Sequence, residues 1–221
     1  MPGVDETASW FPLMGSGALR AGGLQPVRLG GYPIVVWRSA SGKLSVWRDR
    51  CPHRGMRLSF GEVQGETVLC PYHGWSFGAD TQCKFIPAHP ELKPPRAGRA
   101  EAFEAEEAAG FIWARAPLAG GRDVPAVPDA TAGFVPLRSL SVGMDADETL
   151  AALIETPLVG PLALDPEGGA VLGADHAVIA VPLAPGRTMV HLTVSEAMAA
   201  DERAALVAAL RRFRFAHAPA A

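Results

Sequence analysis

Apolar and polar positions follow a short period along the first half of the chain and a mixed one along the second. Tyr32–Arg38 (YPIVVWR) and Leu44–Arg48 (LSVWR) are β-branched and aromatic runs closed by turn residues, which predicts two strands. Ser41-Gly42 between them predicts a hairpin. Thr67–Cys70, Gly74–Phe77, Cys83–Ile86 and Phe111–Ala114 read as further short strands. Strands this short and closely spaced predict an antiparallel sandwich or barrel. After Ala116 the pattern lapses, and Pro117, Gly120, Gly121, Pro125, Pro128 and Pro136 punctuate a linker-like stretch. Beyond it, acids open a helix over Asp147–Glu155, favoured by the helix dipole, and Pro157, Pro161 and Pro166 break it. Ala170–Leu183 and Thr188–Ser195 read as two strands around the turn Ala184-Pro185-Gly186-Arg187. Asp201 is expected to cap a last helix running to Phe215, with Leu206, Leu210 and Phe213 on one face. There is no internal repeat and no low-complexity tract. The expected fold class is mainly β: an antiparallel β-sandwich domain followed by a small α+β domain.

Composition narrows the class. The chain has 221 residues, 48% hydrophobic and 19% charged, a globular balance that excludes disorder throughout. Gly 24 and Pro 20 exceed the average share and fit a turn-rich β fold. No run reaches the eighteen or so apolar residues that cross a bilayer. Met1–Trp10 carries Asp5 and Glu6 and has no apolar core, so a signal peptide is not expected and the cytoplasm is the default compartment. Cys51, Cys70 and Cys83 are too few for a disulfide framework. A net charge of −3 argues against nucleic-acid binding. The charge is unevenly spread: from Thr7 to Gly61 eight basic residues face Asp49 as the one acid. That face is either simply solvated or a docking surface for an acidic protein.

The chemistry concentrates in two short motifs. Cys51-Pro52-His53-Arg54-Gly55 is followed, after sixteen intervening residues counted from His53, by Cys70-Pro71-Tyr72-His73-Gly74-Trp75. This is C-x-H, a spacer, then C-x-x-H, with Pro and Gly flanking each pair as suits loops at hairpin tips. Two buried cysteines and two ordinary histidines would not recur in matched pairs. Two metal readings remain. Zinc takes two Cys and two His tetrahedrally, more often from C-x₂₋₄-C and H-x₃₋₅-H spacings. A [2Fe–2S] cluster of the Rieske type also takes two of each, both histidines on one iron. A one-residue gap puts Cys and His on opposite sides of a loop, where they can reach different metal atoms, and this favours the second.

Trp10 to about Ala116 resembles the Rieske domain of Rieske non-haem iron oxygenases, the ring-hydroxylating and O-demethylase family. The resemblance rests on Asp49-Arg50-Cys51-Pro52-His53-Arg54-Gly55 and Cys70-Pro71-Tyr72-His73-Gly74-Trp75, with Cys83, Ile86-Pro87 and Gly110-Phe111-Ile112-Trp113 matching the stretches that follow. It implies a Rieske β-sandwich over 8–117, a linker over 118–133 and an oxygenase-like α+β region over 134–221. It implies that Cys51 and Cys70 ligate one iron of a [2Fe–2S] cluster, and His53 and His73 the other. Respiratory Rieske proteins add a disulfide beside the cluster. Met56 and Tyr72 stand at those places, which implies the lower-potential oxygenase and ferredoxin type. Cys83 is left as a buried free thiol.

The family's second half holds a mononuclear iron by two histidines and a carboxylate, from a D-x-x-H-x₃₋₄-H motif. The corresponding stretch is Leu153-Ile154-Glu155-Thr156-Pro157-Leu158-Val159-Gly160-Pro161. Glu155 can fill the acidic position, but no histidine occurs between His89 and His176. The expectation is a shortened, degenerate catalytic half without mononuclear iron. Asp175, His176 and His191 are the remaining candidates there. A turn centred on Pro185-Gly186 would pair Ala180 with His191 and His176 with Ser195. The histidines would then share a polar face, roughly 13 Å apart and too far for one ion. They are expected to be surface residues, and His89 and His217 ordinary loop and tail residues.

The expected function is electron transfer by a subunit or partner of an oxygenase system, without oxygen activation by this chain alone. The expected partners are a ferredoxin or flavin reductase as donor and a catalytic paralogue in a hetero-oligomer or homotrimer, with no nucleic acid and no membrane. A divergent oxygenase with an unrecognised iron site is the alternative, and a redox-sensing or scaffold protein the second.

Overall fold

The computed structural model describes residues 8–96, 98–117, 131–156, 158, 160–165 and 169–218. In chain order the strands of the first half are β1 (Ser9–Gly15), β2 (Leu24–Leu29), β3 (Tyr32–Arg38), β4 (Leu44–Arg48), β5 (Glu62–Gln64), β6 (Thr67–Leu69), β7 (Ser76–Gly78), β8 (Cys83–Phe85), β9 (Ala102–Phe103), β10 (Ala105–Ala108) and β11 (Phe111–Ala116). The second half holds β12 (Phe134–Val142), α1 (Ala146–Glu155), β13 (Ala163–Leu164), β14 (Ala170–Leu172), β15 (His176–Ala184), β16 (Arg187–Ser195) and α2 (Ala200–Ala216). The chain is mainly β with antiparallel sheets, as the pattern predicts. Most of the expected linker, residues 118–130, lies outside the described residues, as does Pro166. Among the described residues no helix is long and apolar enough to cross a membrane.

The chain divides into two compact units, one of residues 1–15, 29–31 and 106–221, the other of Ser16–Arg28 and Tyr32–Ala105. The second unit contains two four-stranded sheets, ordered β2-β3-β4-β9 and β5-β6-β7-β8. β3 and β4 pair from Ile34 opposite Arg48 to Arg38 opposite Leu44, around the expected Ser41-Gly42 turn. Alternate residues of these strands feed a core of Val35, Trp37, Trp47, Leu58, Val68 and Phe77. Trp37 and Trp47 meet edge to face at 4.9 Å, the arrangement the ring quadrupoles favour. Cys51, Cys70 and Cys83 belong to the same core.

The first unit pairs β1 with β11, from Ser9 opposite Ala116 to Gly15 opposite Phe111. Its larger sheet runs β12-β16-β15-β14-β13. α1 and α2 cover one face, where Leu150, Leu153, Leu206, Leu210 and Phe213 pack on Val142, Val178, Leu192 and Val194. Glu148 accepts the Asp145 amide at 3.3 Å at the start of α1, and Asp145 accepts the Gly186 amide at 2.7 Å, tying the helix entry to the β15–β16 turn. Ala199, not Asp201, is the N-cap of α2, and Asp201 sits in the first turn. Glu202 takes the capping role by accepting the Ala199 amide at 3.2 Å.

Two expectations for this sheet are corrected. The run 170–183 is two strands, because Gly173 donates its amide to the His176 carbonyl at 2.8 Å and reverses the chain. The hairpin register is also one residue off the expected one. Ala184 pairs with Arg187 as a Pro185-Gly186 turn requires, but a bulge between Pro182 and Ala184 then shifts the ladder. His191 therefore faces Ile179, and His176 faces Val194.

Candidate metal centre

Both cysteine motifs are tight loops between strands, and they share one backbone pattern. The Cys51 amide donates to the Met56 carbonyl at 2.7 Å, and the Gly55 amide returns to the Cys51 carbonyl at 2.9 Å. In the second loop the Cys70 amide donates to Trp75 at 2.9 Å and the Gly74 amide to Cys70 at 3.0 Å. Closing these loops requires the left-handed region at Gly55 (φ 75) and Gly74 (φ 69), which glycine reaches without a steric penalty. Gly74 has a second constraint, since a Cβ there would lie 2.8 Å from Cγ of Pro87.

The loops bring like groups together. Cys51 and Cys70 are each 2% exposed, and the two thiols interact directly. Burial, more than the neighbouring Cys70, pushes the Cys51 thiol up to about 11. The amides of His53 and Arg54 oppose that shift by hydrogen bonding toward the sulfur. His53 and His73 form the other pair, with ring centroids 4.7 Å apart and planes at 63°. Both are at least partly open to solvent. Partial desolvation, then the neighbouring His73 and Arg54, lowers the His53 pKa. Trp75 lies flat against His53, 4.3 Å away and 4° from parallel, and Tyr72 lies 3.9 Å from His73. Asp49, 3% exposed, accepts the Ser59 amide at 2.7 Å and the Ser59 hydroxyl at 2.6 Å, which anchors the strand entering the first loop. The support given by Trp75 and Ser59 went unread in the sequence. The only signal was an aromatic residue one place after the second motif's glycine.

The donor set has one telling property. Among the described residues no three His, Cys, Asp or Glu side chains gather around a single point. Thiol sits with thiol and imidazole with imidazole. The donors are thus paired by kind. This pairing fits a two-metal group with soft ligands at one end and nitrogen ligands at the other. Two adjacent buried thiols, with the Cys51 pKa raised, are also poor company unless a cation favours their thiolates.

Cys83 is 6% exposed and lies outside both loops. Its thiol donates to the Phe85 carbonyl at 3.5 Å, and burial raises its pKa.

The histidines of the second half depart from expectation. His176 and His191 are 5% and 0% exposed, so neither is a surface residue. The bulge places them three ladder positions apart, and side chains an odd number of places apart point to opposite faces. His191 turns toward β1 and β11. Its Nε2 lies 3.1 Å from the Pro12 carbonyl, its Nδ1 2.8 Å from the Ser139 hydroxyl, and its ring 5.4 Å from Phe111. A carbonyl only accepts, so Nε2 carries the proton and the Ser139 hydroxyl donates to Nδ1. Burial holds this neutral imidazole down to about 4. Glu155 ends α1 on the exposed surface, and Asp175 is exposed. His217 packs on Phe213 at 4.5 Å, near the end of α2.

Residues 9–96 match the family described as the Rieske [2Fe-2S] domain. Oxidoreductase NdmD of Pseudomonas putida is 34% identical over 152 residues, which are 67% of this chain and 26% of that protein. The 3-chlorobenzoate-3,4-dioxygenase oxygenase subunit of Comamonas testosteroni is 39% identical over 107 residues, 47% of this chain and 24% of that protein. The chain thus spans about a quarter of the length of these curated relatives. In fold it is similar to the Pseudomonas putida CBB5 NdmA QL mutant with caffeine, at a TM-score of 0.70 and 18% identity, over 94% of this chain and 79% of that one. It is similar also to apo dicamba monooxygenase, at a TM-score of 0.71 and 16% identity, over 95% and 84%.

Proposed function

Residues 9–96 are a Rieske [2Fe–2S] domain of the kind found in Rieske non-haem iron oxygenases, and from that premise we propose that this chain carries electrons within an oxygenase system and does not itself activate oxygen. The observation that carries the reading is the segregation of the donors, Cys51 beside Cys70 and His53 beside His73. Cys51 and Cys70 would hold one iron, and His53 and His73 the other. When bound, the cluster stores and releases one electron at a time, at a potential raised by its nitrogen ligands.

The chain's own residues prepare that chemistry. The buried thiols keep water from one end of the group. The amides of His53 and Arg54 offer hydrogen bonds to sulfur, which stabilise negative charge there. Trp75 fixes the plane of His53, so the ring does not rotate between oxidation states. The exposed edge of His73 gives the site an outlet on the surface. A ferredoxin or flavin reductase would donate the electron, and a catalytic paralogue in a hetero-oligomer or homotrimer would receive it.

The part of the reading that denies a mononuclear iron rests on the second half. The stretch after α1 supplies no histidine, and His176 and His191 lie on opposite faces of their sheet. A facial triad needs two imidazoles and a carboxylate aimed at one point. The shared fold with NdmA and dicamba monooxygenase favours the competing reading, an oxygenase with divergent ligands.

One measurement separates them. Iron and acid-labile sulfide are counted per chain, with an electron paramagnetic resonance spectrum of the reduced protein. A [2Fe–2S] stoichiometry with a Rieske-type signal and no further iron supports electron transfer. An additional iron, with substrate-dependent oxygen uptake by this chain alone, replaces it with the oxygenase. Zinc without sulfide rejects both.

A further inference from the structure

α2 buries Leu206, Leu210 and Phe213 on the face that meets the sheet. Its opposite side carries a second regular spacing. Asp201, Ala204, Ala208, Arg211 and Phe215 follow one another at intervals of three and four residues, and all five are exposed. At about 100° per residue they fall within an arc of about 80°, one seam along the helix. Three and four in alternation is the spacing by which two helices interlock. Leu137 of β12 and Val207 flank the two alanines in a shallow apolar groove edged by Arg211 and Arg212. Phe215 is 83% exposed, more than any other large apolar side chain among the described residues.

The charges on the seam are set apart by sign. Asp201 stands in the first turn of α2, and Arg211 ten residues on. Neither makes an ion pair among the described residues. Glu202, the other acid of the first turn, is already engaged with the Ala199 amide. One unpaired acid and one unpaired base therefore lie on a single helix face.

We propose that this face pairs with the same face of a second copy of the chain, the two α2 helices running antiparallel about a two-fold axis. Once Asp201 is set against Arg211 of the partner subunit, the remaining matches follow by counting. Ala204 meets Ala208 of the partner subunit, because both pairs are centred on position 206. Phe215 falls opposite the partner's Ala197, an exposed position just before α2. Two ion pairs then bracket four alanines, and side chains this small let helix axes approach to about 8 Å. The helix dipoles oppose each other, which is favourable. A parallel pair would set Asp201 on Asp201 and Arg211 on Arg211, like charge on like charge. A two-fold contact of this kind closes at two copies. One helix of 17 residues is about 25 Å long. A contact of that length falls below the about 1,200 Å² at which stable interfaces begin. The dimer is therefore weak, with a Kd of about 10–100 µM. It does not depend on the iron–sulfur reading.

Sedimentation velocity on the full, cluster-loaded chain between about 1 µM and 1 mM tests the pairing, read as a doubling of particle mass. The native chain is expected to double as its concentration rises. Asp201→Arg sets arginine against Arg211, and Arg211→Asp sets aspartate against Asp201. Each variant alone should associate at least about tenfold more weakly. Mixed one to one, the two variants restore opposite charges at both ends and should double as the native chain does. Cluster absorbance equal to the native chain's shows that each variant is folded. No doubling of the native chain up to about 1 mM overturns the proposal. So does doubling that both reversals leave unchanged, which would assign it to another face. A mixture of folded variants that fails to recover also overturns it.

Discussion

The imidazole of His191 reaches across 179 sequence positions to the Pro12 carbonyl, 3.1 Å away, and so pins the first strand of the chain to one of its last. The ring is fully buried and accepts a hydrogen bond from Ser139 at its other nitrogen. This contact has a measurable signature in acid. The unfolded chain binds a proton at His191 near 6.5, whereas the native state resists until about 4. Stability from the neutral ring is therefore complete above pH 6.5, falls as the pH drops, and is gone below about 4. The loss amounts to about 3 kcal/mol at most. His176, also lowered by burial, adds in the same direction. Denaturant unfolding between pH 7.5 and 4 should show this slope, and His191→Gln should flatten it. An unchanged slope in the variant would show that the acid sensitivity lies elsewhere.

Trp75 should matter to the metal group without touching it as a ligand. It stacks on His53 at 4.3 Å and covers one face of the ring. Trp75→Ala should leave the fold intact and speed iron loss to a chelator several-fold. Trp75→Phe should restore most of the retention. Equal release rates in all three proteins would assign Trp75 to packing alone.

Gly74→Ala combines two costs, a left-handed backbone (φ 69) and a Cβ 2.8 Å from Pro87. About 1–3 kcal/mol of strain falls on the loop that carries Cys70 and His73. The expected outcome is a chain that folds with little iron. Gly17→Ala, at an open position where nothing lies within 4 Å, is the control. Full iron content in Gly74→Ala would contradict the loop geometry described above.

Exchange of His53 or His73, the proposed nitrogen ligands, for a thiolate should lower the midpoint potential. His53→Cys or His73→Cys adds negative charge to the iron–sulfur group if it assembles. Voltammetry measures the shift. A raised potential, or no change in an assembled variant, would count against these two residues as ligands.

Electron transfer from an acidic donor should slow as salt rises, since exposed charges are screened over about 8 Å at physiological ionic strength. Arg50 and Arg54 are the exposed cations beside the first loop, with Arg57 partly buried over Phe60 at 5.9 Å. Arg48 is committed elsewhere, 3.6 Å from Glu101 and over the Tyr32 ring at 5.7 Å. Reversing the charge of Arg50, Arg54 and Arg57 should cut the stopped-flow rate at low salt. A rate indifferent to both salt and these changes would remove the docking surface.

The parts of the fold that were legible carry their information locally. β3 and β4 could be read because β-branched residues and the Ser41-Gly42 turn specify a hairpin without help from distant residues. α2 showed in the spacing of Leu206, Leu210 and Phe213. The cysteine loops could be read because metal donors, Pro and Gly are rare in combination. β12 was hidden, since Pro136 reads as punctuation although it sits at an irregularity of the ladder, where a proline is tolerated. The faces of His176 and His191 were illegible for a stricter reason. They depend on a bulge between Pro182 and Ala184, and a one-residue slip exchanges every face. No local pattern records that bulge. Ser59 escaped notice, and Trp75 was read only as part of the motif, because what they do is set by contacts with Asp49 and His53 that only the folded loops create.

The pairing of Gly15 with Phe111 has a consequence for ancestry and engineering. Most of what lies between those residues, 29–31 and 106–110 apart, forms its own unit. The chain departs from β1 and comes back at β11, two neighbours in one sheet, so the intervening segment is topologically an insertion with adjoining ends. Insertions of that kind can be exchanged without lengthening or rethreading their host. A redox module of different potential could be spliced between the same two strands, and recombination could have tried such swaps without disturbing the sheet that closes behind it.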